Sequence, residues 1–131
     1  MVNLQLEGEH PYCGDKLDST SGFSYDPQHL ISENIKYRNY GWKDMSIPTS
    51  LNFMLDIVKE MGITIKDEKK KVLIHCHAGY GRTGVVIACY LLFDTNQSVN
   101  EVVKFIRSRR AQCIQKSDQM EFCKNFKDCK R

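Results

Sequence analysis

No stretch of this 131-residue chain is apolar for long; the longest run, around Val85–Phe93, stops well short of the ~20 residues a membrane-spanning helix needs. Charge of one sign is also scarce. Nineteen Lys and Arg against sixteen Asp and Glu give a net charge of +3, which suits an anionic substrate and falls far below the basic excess of a nucleic-acid binder. There is no C-x-x-C pair among the six cysteines (Cys13, Cys76, Cys89, Cys113, Cys123 and Cys129), which argues against a zinc site. The first seven residues, Met1 to Glu7, lack a basic segment and a long apolar one, so a secretory signal is not expected. Without one, the cysteines read as reduced thiols of a cytosolic or nuclear protein rather than as three bridges. Repeats and low-complexity tracts are missing too, and the length suits one globular domain over 1–131.

What is present orders itself into alternating elements. Val2–Leu6 reads as a short strand, followed from Gly8 to Pro27 by a long loop rich in Gly, Pro, Ser and Asp. A short helix is expected near Pro27, and Ile35–Tyr40 as a strand leading into a loop over Gly41–Thr49. Leu51, Met54, Leu55, Val58 and Met61 recur at helical spacing behind a candidate N-cap, Ser50, and Gly62 is the expected stop. After the charged Lys69–Lys71, the compact apolar run Val72–Cys76 has the character of a buried parallel strand. A glycine-bearing loop, His77–Thr83, precedes a helix through about Phe93. Ser98 and Glu101 form a capping box ahead of the stripe Val99, Val102, Val103 and Ile106, and a last helix is expected from Ser117 through Phe126. Such an order predicts an α/β layered domain.

The chemistry concentrates in His75-Cys76-His77-Ala78-Gly79-Tyr80-Gly81-Arg82-Thr83-Gly84. A loop entering a helix N-terminus turns several backbone N–H groups inward and makes a cradle for a phosphate dianion. Gly79 and Gly81 allow a tight turn and a close approach to the ligand. Arg82 offers a planar fork able to bind two phosphate oxygens. Thiols in such a field ionise well below the ordinary ~8.5, so Cys76 is expected as a thiolate nucleophile. Thr83 is placed to donate to that sulfur, and His75 to orient the loop rather than to move protons.

Three rival readings of the segment fail. Gly79-x-Gly81-x-x-Gly84 matches a dinucleotide fingerprint, but the acidic strand end needed about 20 residues on is replaced by the helix start Ser98-Val99-Asn100-Glu101. An ATP-type phosphate loop requires Gly-Lys where Arg82 stands. His75, Cys76 and His77 alternate across a strand and cannot readily share one metal ion.

The segment His-Cys-x5-Arg-Thr, carried by His75, Cys76, Arg82 and Thr83, resembles the signature of the protein tyrosine phosphatase superfamily. The wider string is similar to the dual-specificity and domain-containing group of that superfamily. It runs from Asn3–His10 through Ser21–Tyr25 and Gly41–Asp44 to His75–Gly84. The resemblance implies a central, mostly parallel sheet flanked by helices, with further strands and a helix ahead of Val2–Leu6, so that the chain would be an N-terminally truncated catalytic domain.

It also implies a cofactor-free and metal-free hydrolase of phosphoproteins working through a phosphocysteine intermediate. His77, Ala78, Gly79, Tyr80, Gly81 and Arg82 would bind the phosphate. A general acid is implied on a mobile loop about thirty residues before the cysteine; Asp44, in Trp42-Lys43-Asp44, lies 32 positions before Cys76, whereas Asp26 and Asp56 fit less well. Ile114-Gln115-Lys116-Ser117-Asp118-Gln119 resembles the glutamine loop, in which Gln115 would position the hydrolytic water with Gln119 as helper, although Gln115 reads equally as a residue before a helix cap. Lys43 replaces a family proline, and the loop that selects phosphotyrosine is not identifiable. The alternatives are a catalytically impaired phosphate-binding module and a phosphoinositide phosphatase, the latter disfavoured because His77 and Tyr80 stand where those enzymes tend to carry lysines. The implied partner is a phosphoprotein, with no nucleic acid and no membrane, for a monomer.

Overall fold

The computed structural model describes residues 1–114 and 116–130. In chain order it contains β1 (Val2–Asn3), α1 (Pro27–Ser32), β2 (Arg38–Asn39), α2 (Leu51–Gly62), β3 (Ile74–His75), α3 (Gly81–Asp94), α4 (Val99–Arg109) and α5 (Ser117–Lys130). The three strands form one parallel sheet in the order β2-β1-β3, with Val2 opposite Arg38 and Ile74. Helices flank it, as expected for an α/β domain.

The strands are shorter than the sequence pattern predicts, but backbone bonds carry the ladder past them. Leu4 N–H donates to the His75 carbonyl at 3.0 Å, and Trp42 N–H to the Leu4 carbonyl at 3.3 Å. The polar Asn3 in the central strand is fully buried with its groups paired. Its Oδ1 accepts from the Gln5 amide at 2.9 Å, and its Nδ2 donates to the Tyr37 hydroxyl at 3.0 Å. A paired buried amide avoids the desolvation penalty that would otherwise exclude it from a sheet.

Helix starts follow local chemistry. Ser50 Oγ accepts from the Phe53 amide at 3.0 Å, Ser98 Oγ from Glu101 at 3.1 Å, and Asp26 Oδ1 from Gln28 at 3.0 Å; each satisfies one of the donors left over in a first turn. Asp26 is thereby a cap. Gly62 does not end the helical path: its φ of −61° is ordinary helix, and a π-helical turn, Ile63–Asp67, continues from α2. The last helix also runs past the expected Phe126 to Lys130.

The centre of the molecule is α3. Val85, Val86, Ala88, Cys89 and Leu92 are all buried, and α2, α4 and α5 pack around them. A helix apolar on all sides belongs in a core, and each such Val or Leu contributes about 1.5–3 kcal/mol by leaving water. That burial fixes the N-terminus of α3 against the end of β3. Among the described residues, no helix is long and apolar enough to cross a membrane.

Candidate active site

Strand β3 ends at His75, and Cys76 begins the turn that returns as α3. The Tyr80 side chain makes no cap bond to α3, so first-turn amides are candidates for whatever the loop holds. Gly79 has φ +83°, a backbone region that L-residues rarely adopt, whereas Gly81 is an ordinary first residue of α3. The tight turn expected of both glycines therefore rests on Gly79.

Cys76 is 7% exposed, and its Sγ receives two hydrogen bonds, from the Gly79 amide at 3.2 Å and from Thr83 Oγ1 at 3.0 Å. His75 is held behind it. Its Nδ1 lies 3.2 Å from the Cys76 carbonyl, which can only accept, so Nδ1 carries the hydrogen and Nε2 accepts from the Tyr25 hydroxyl at 2.6 Å. Burial holds the His75 imidazole below its usual protonation range. His77 and Ala78 are exposed on the loop, and Tyr80 lies 5.0 Å beneath the guanidinium of Arg110.

Arg82 commits part of its fork within the protein. It is fully buried, and Glu9 takes Nη1 at 2.7 Å and Nη2 at 2.6 Å through its two carboxylate oxygens. Nη1 also donates to the carbonyls of Trp42 at 2.9 Å and Leu4 at 3.2 Å. Of the five N–H groups of a guanidinium, the edge formed by Nε and the second Nη2 hydrogen is the one left for a ligand among the described residues, where Nε is buried with no hydrogen-bond partner. Burial works against the charge, but Glu9, and then Asp44 and Cys76, more than offset it and keep the guanidinium protonated.

Asp44 stands at that edge, its Oδ1 3.4 Å from Arg82 Nε. Oδ1 also accepts from the Met45 amide at 2.9 Å, and Oδ2 lies 2.7 Å from His10 Nε2. Burial raises its affinity for a proton, yet the His10, Arg82 and Met45 contacts together leave the carboxyl below its ordinary range. Trp42 anchors this loop from inside the core, its indole N–H donating to the Ser46 carbonyl at 3.2 Å.

Gln115 lies outside the described residues. The segment before it is tied to the loop, because the Tyr80 carbonyl accepts from Ile114 N–H at 3.1 Å while Arg107 Nη2 donates to the Ile114 carbonyl at 2.9 Å. Gln119 is fully buried; its Oε1 accepts from the Lys116 amide and its Nε2 reaches the Ser46 carbonyl at 3.4 Å. It thus braces the Asp44 loop against the start of α5.

Glu9, His10, Tyr25 and Arg110 were not singled out by sequence pattern. The signal for the first three was the length of the Gly8–Pro27 loop, since a connection of that size within a compact domain is usually functional. Glu9, His10 and Asp44 could also offer ligand atoms to a metal within 4.8 Å of one another. Both Glu9 oxygens are already committed to a guanidinium, whose charge would repel a divalent ion, so the group fits a metal poorly. A cavity of about 440 Å³ opens beside Cys76, His75 and His77, walled by Cys13, Leu17 and Tyr25.

A cysteine under two donors, at the mouth of a helix beside a buried arginine, defines a phosphate-loop architecture. The family model for protein-tyrosine phosphatase matches residues 20–127, and the chain belongs to that family. Over 126 residues it is 43% identical to protein tyrosine phosphatase domain-containing protein 1 of Bos taurus and 40% identical to that of Danio rerio, covering 96% of this chain in each case. The chain spans about a sixth of the length of these relatives, 16% and 17%. Among solved structures, Tk-PTP in the active form superposes with a TM-score of 0.81 at 25% identity, covering 97% of this chain and 76% of that one. PTPMT1 in complex with PI(5)P shares the fold, with a TM-score of 0.79 at 18% identity over 98% and 76% of the two chains.

Proposed function

We propose that this chain hydrolyses phosphate monoesters on phosphoproteins, phosphotyrosine and also phosphoserine or phosphothreonine, through a phosphocysteine intermediate. The observation that carries the reading is the pair of donors on Cys76 Sγ beside the Nε edge of Arg82. A phosphate dianion seated on that edge and on the amides of His77–Gly81 brings phosphorus in line with the sulfur. The Cys76 thiolate attacks, an S–P bond forms and the P–O bond to the leaving group breaks. Asp44 gives its proton to the departing oxygen. A dianion on Arg82 displaces Asp44 Oδ1 from Nε and puts negative charge beside the carboxyl; both changes raise its affinity for a proton. Water then attacks phosphorus, Asp44 takes its proton, and inorganic phosphate leaves as the S–P bond breaks. Thr83 Oγ1 donates to the sulfur as it regains its charge, and Gln115 orients the water.

The test is turnover of an aryl phosphate and of phosphopeptides, with and without chelator. Cys76→Ser is expected to abolish turnover while still binding vanadate; undiminished turnover in that variant sinks the reading. Vanadate binding without turnover by the native chain would point instead to a phosphate-binding module. A phosphoinositide is the second reading, favoured by Arg110, whose guanidinium lies over Tyr80 at the rim of the loop where a second phosphate would meet it. Faster turnover of a soluble phosphoinositide than of any phosphopeptide selects that alternative.

A further inference from the structure

We infer that His10 is a positioning residue that seats the Asp44 carboxyl over the phosphate loop and determines which of its oxygens gives the proton. The inference rests on the reading of Asp44 as the proton donor. The His10 imidazole touches both walls of the site. Its Nε2 lies 2.7 Å from Asp44 Oδ2, and its ring stacks on that of His77, with centroids 4.5 Å apart and planes 29° from parallel. His77 follows the nucleophile directly, so one ring spans from the acid loop to the phosphate loop.

The backbone favours the same role. His10 has φ +49° and Met45, next to Asp44, has φ +63°; non-glycine residues held in this region mark places where the surrounding structure imposes a geometry. A carboxylate only accepts, so Nε2 carries the hydrogen and donates to Oδ2. That bond commits Oδ2, so the proton falls to Oδ1, which keeps the Met45 amide at 2.9 Å on one lone pair. Once a dianion takes the Arg82 Nε now 3.4 Å away, Oδ1 has the other lone pair free on the side where the substrate's phosphate lies. Without His10, the carboxyl keeps, among the described residues, Met45 and Arg82 as polar neighbours on Oδ1, and it can rotate about its side-chain bonds.

The experiment compares phenyl phosphate, whose leaving group needs a proton, with dinitrophenyl phosphate, whose leaving group does not. His10→Ala and His10→Gln are measured in the full chain, each with Asp44 intact and with Asp44→Asn. His10→Ala is expected to lower kcat on phenyl phosphate roughly 10²-fold, the cost of a misplaced reacting group, with a much smaller loss on dinitrophenyl phosphate and little change in KM. His10→Gln, whose amide can donate to Oδ2, recovers most of the loss, and in the Asp44→Asn background His10→Ala costs nothing further. Turnover of dinitrophenyl phosphate reports whether each variant is folded. Equal losses on both substrates, or an additive loss in the Asp44→Asn background, overturn the role of His10 while leaving Asp44 as the acid. If Asp44→Asn shows no leaving-group-dependent loss, the acid assignment itself falls, and the inference with it.

Discussion

The fully buried Arg82 and the largely buried Glu9 form an ion pair whose two hydrogen bonds, at 2.7 and 2.6 Å, leave the arginine's Nε edge facing Asp44. A guanidinium fixed by a carboxylate on one side cannot rotate, and this converts a flexible side chain into a rigid fork. Removing the carboxylate does two kinds of harm, because it strands a buried charge and frees the fork. Glu9→Ala should therefore destabilise the fold by about 3–5 kcal/mol, the usual cost of breaking a buried pair, and depress kcat/KM for an aryl phosphate. Urea unfolding reads the first effect and steady-state kinetics the second; a variant as stable as the native chain would mean that water or Asp44 compensates Arg82. That Thr83 meets Cys76 was legible in the sequence because the loop that joins them is continuous. Glu9 was not, since 73 positions separate it from Arg82, and nothing in a local pattern connects a carboxylate in one loop to a cation in another.

At the scale of elements, the N-terminus of α3 and the segment 113–114 lie in direct contact. A Cβ on Gly84 would stand 3.1 Å from the Ile114 amide nitrogen and 3.2 Å from Cys113 Cβ. Backbone yields less readily than a side-chain tip, and Ile114 already has φ +59°. Gly84→Ala should therefore push the 113–114 segment outward at a cost of about 1–3 kcal/mol, typical of overpacking, and lower the melting temperature by several degrees. An unchanged melting temperature would show that the segment moves freely. The helices were legible because apolar spacing and Ser caps state both their faces and their starts. The strands were overestimated because a buried parallel strand and its apolar extensions look alike in sequence. The π-helical turn after Gly62 was missed for a different reason: glycine permits a left-handed stop without requiring one. Thr64 Oγ1 donates to the Glu60 carbonyl at 3.2 Å, a local bond that the periodicity does not report.

Over the whole molecule, the placement of His75 makes folding sensitive to mild acid. Burial depresses its folded-state affinity for a proton below the ordinary value of 6.5, so below that pH the unfolded chain takes up a proton that the folded chain refuses. The stability contributed by the neutral ring is complete above pH 6.5 and declines as pH falls toward the depressed folded value. Asp44, held below its ordinary 3.8, has the same sign in a lower window, where its contacts with His10, Arg82 and Met45 weaken as the carboxylate loses its charge. The urea midpoint of the native chain should fall between pH 7 and 5, then fall again below pH 4, while His75→Gln flattens the first decline and leaves the second. A flat native profile from pH 7 to 5 would contradict the burial argument. Because His75 Nδ1 donates to the carbonyl of Cys76 and Tyr25 donates to Nε2, charging this ring also removes the acceptor that Tyr25 uses, and the disturbance falls on the residue before Cys76. Turnover should therefore decline in the same mild-acid window as stability.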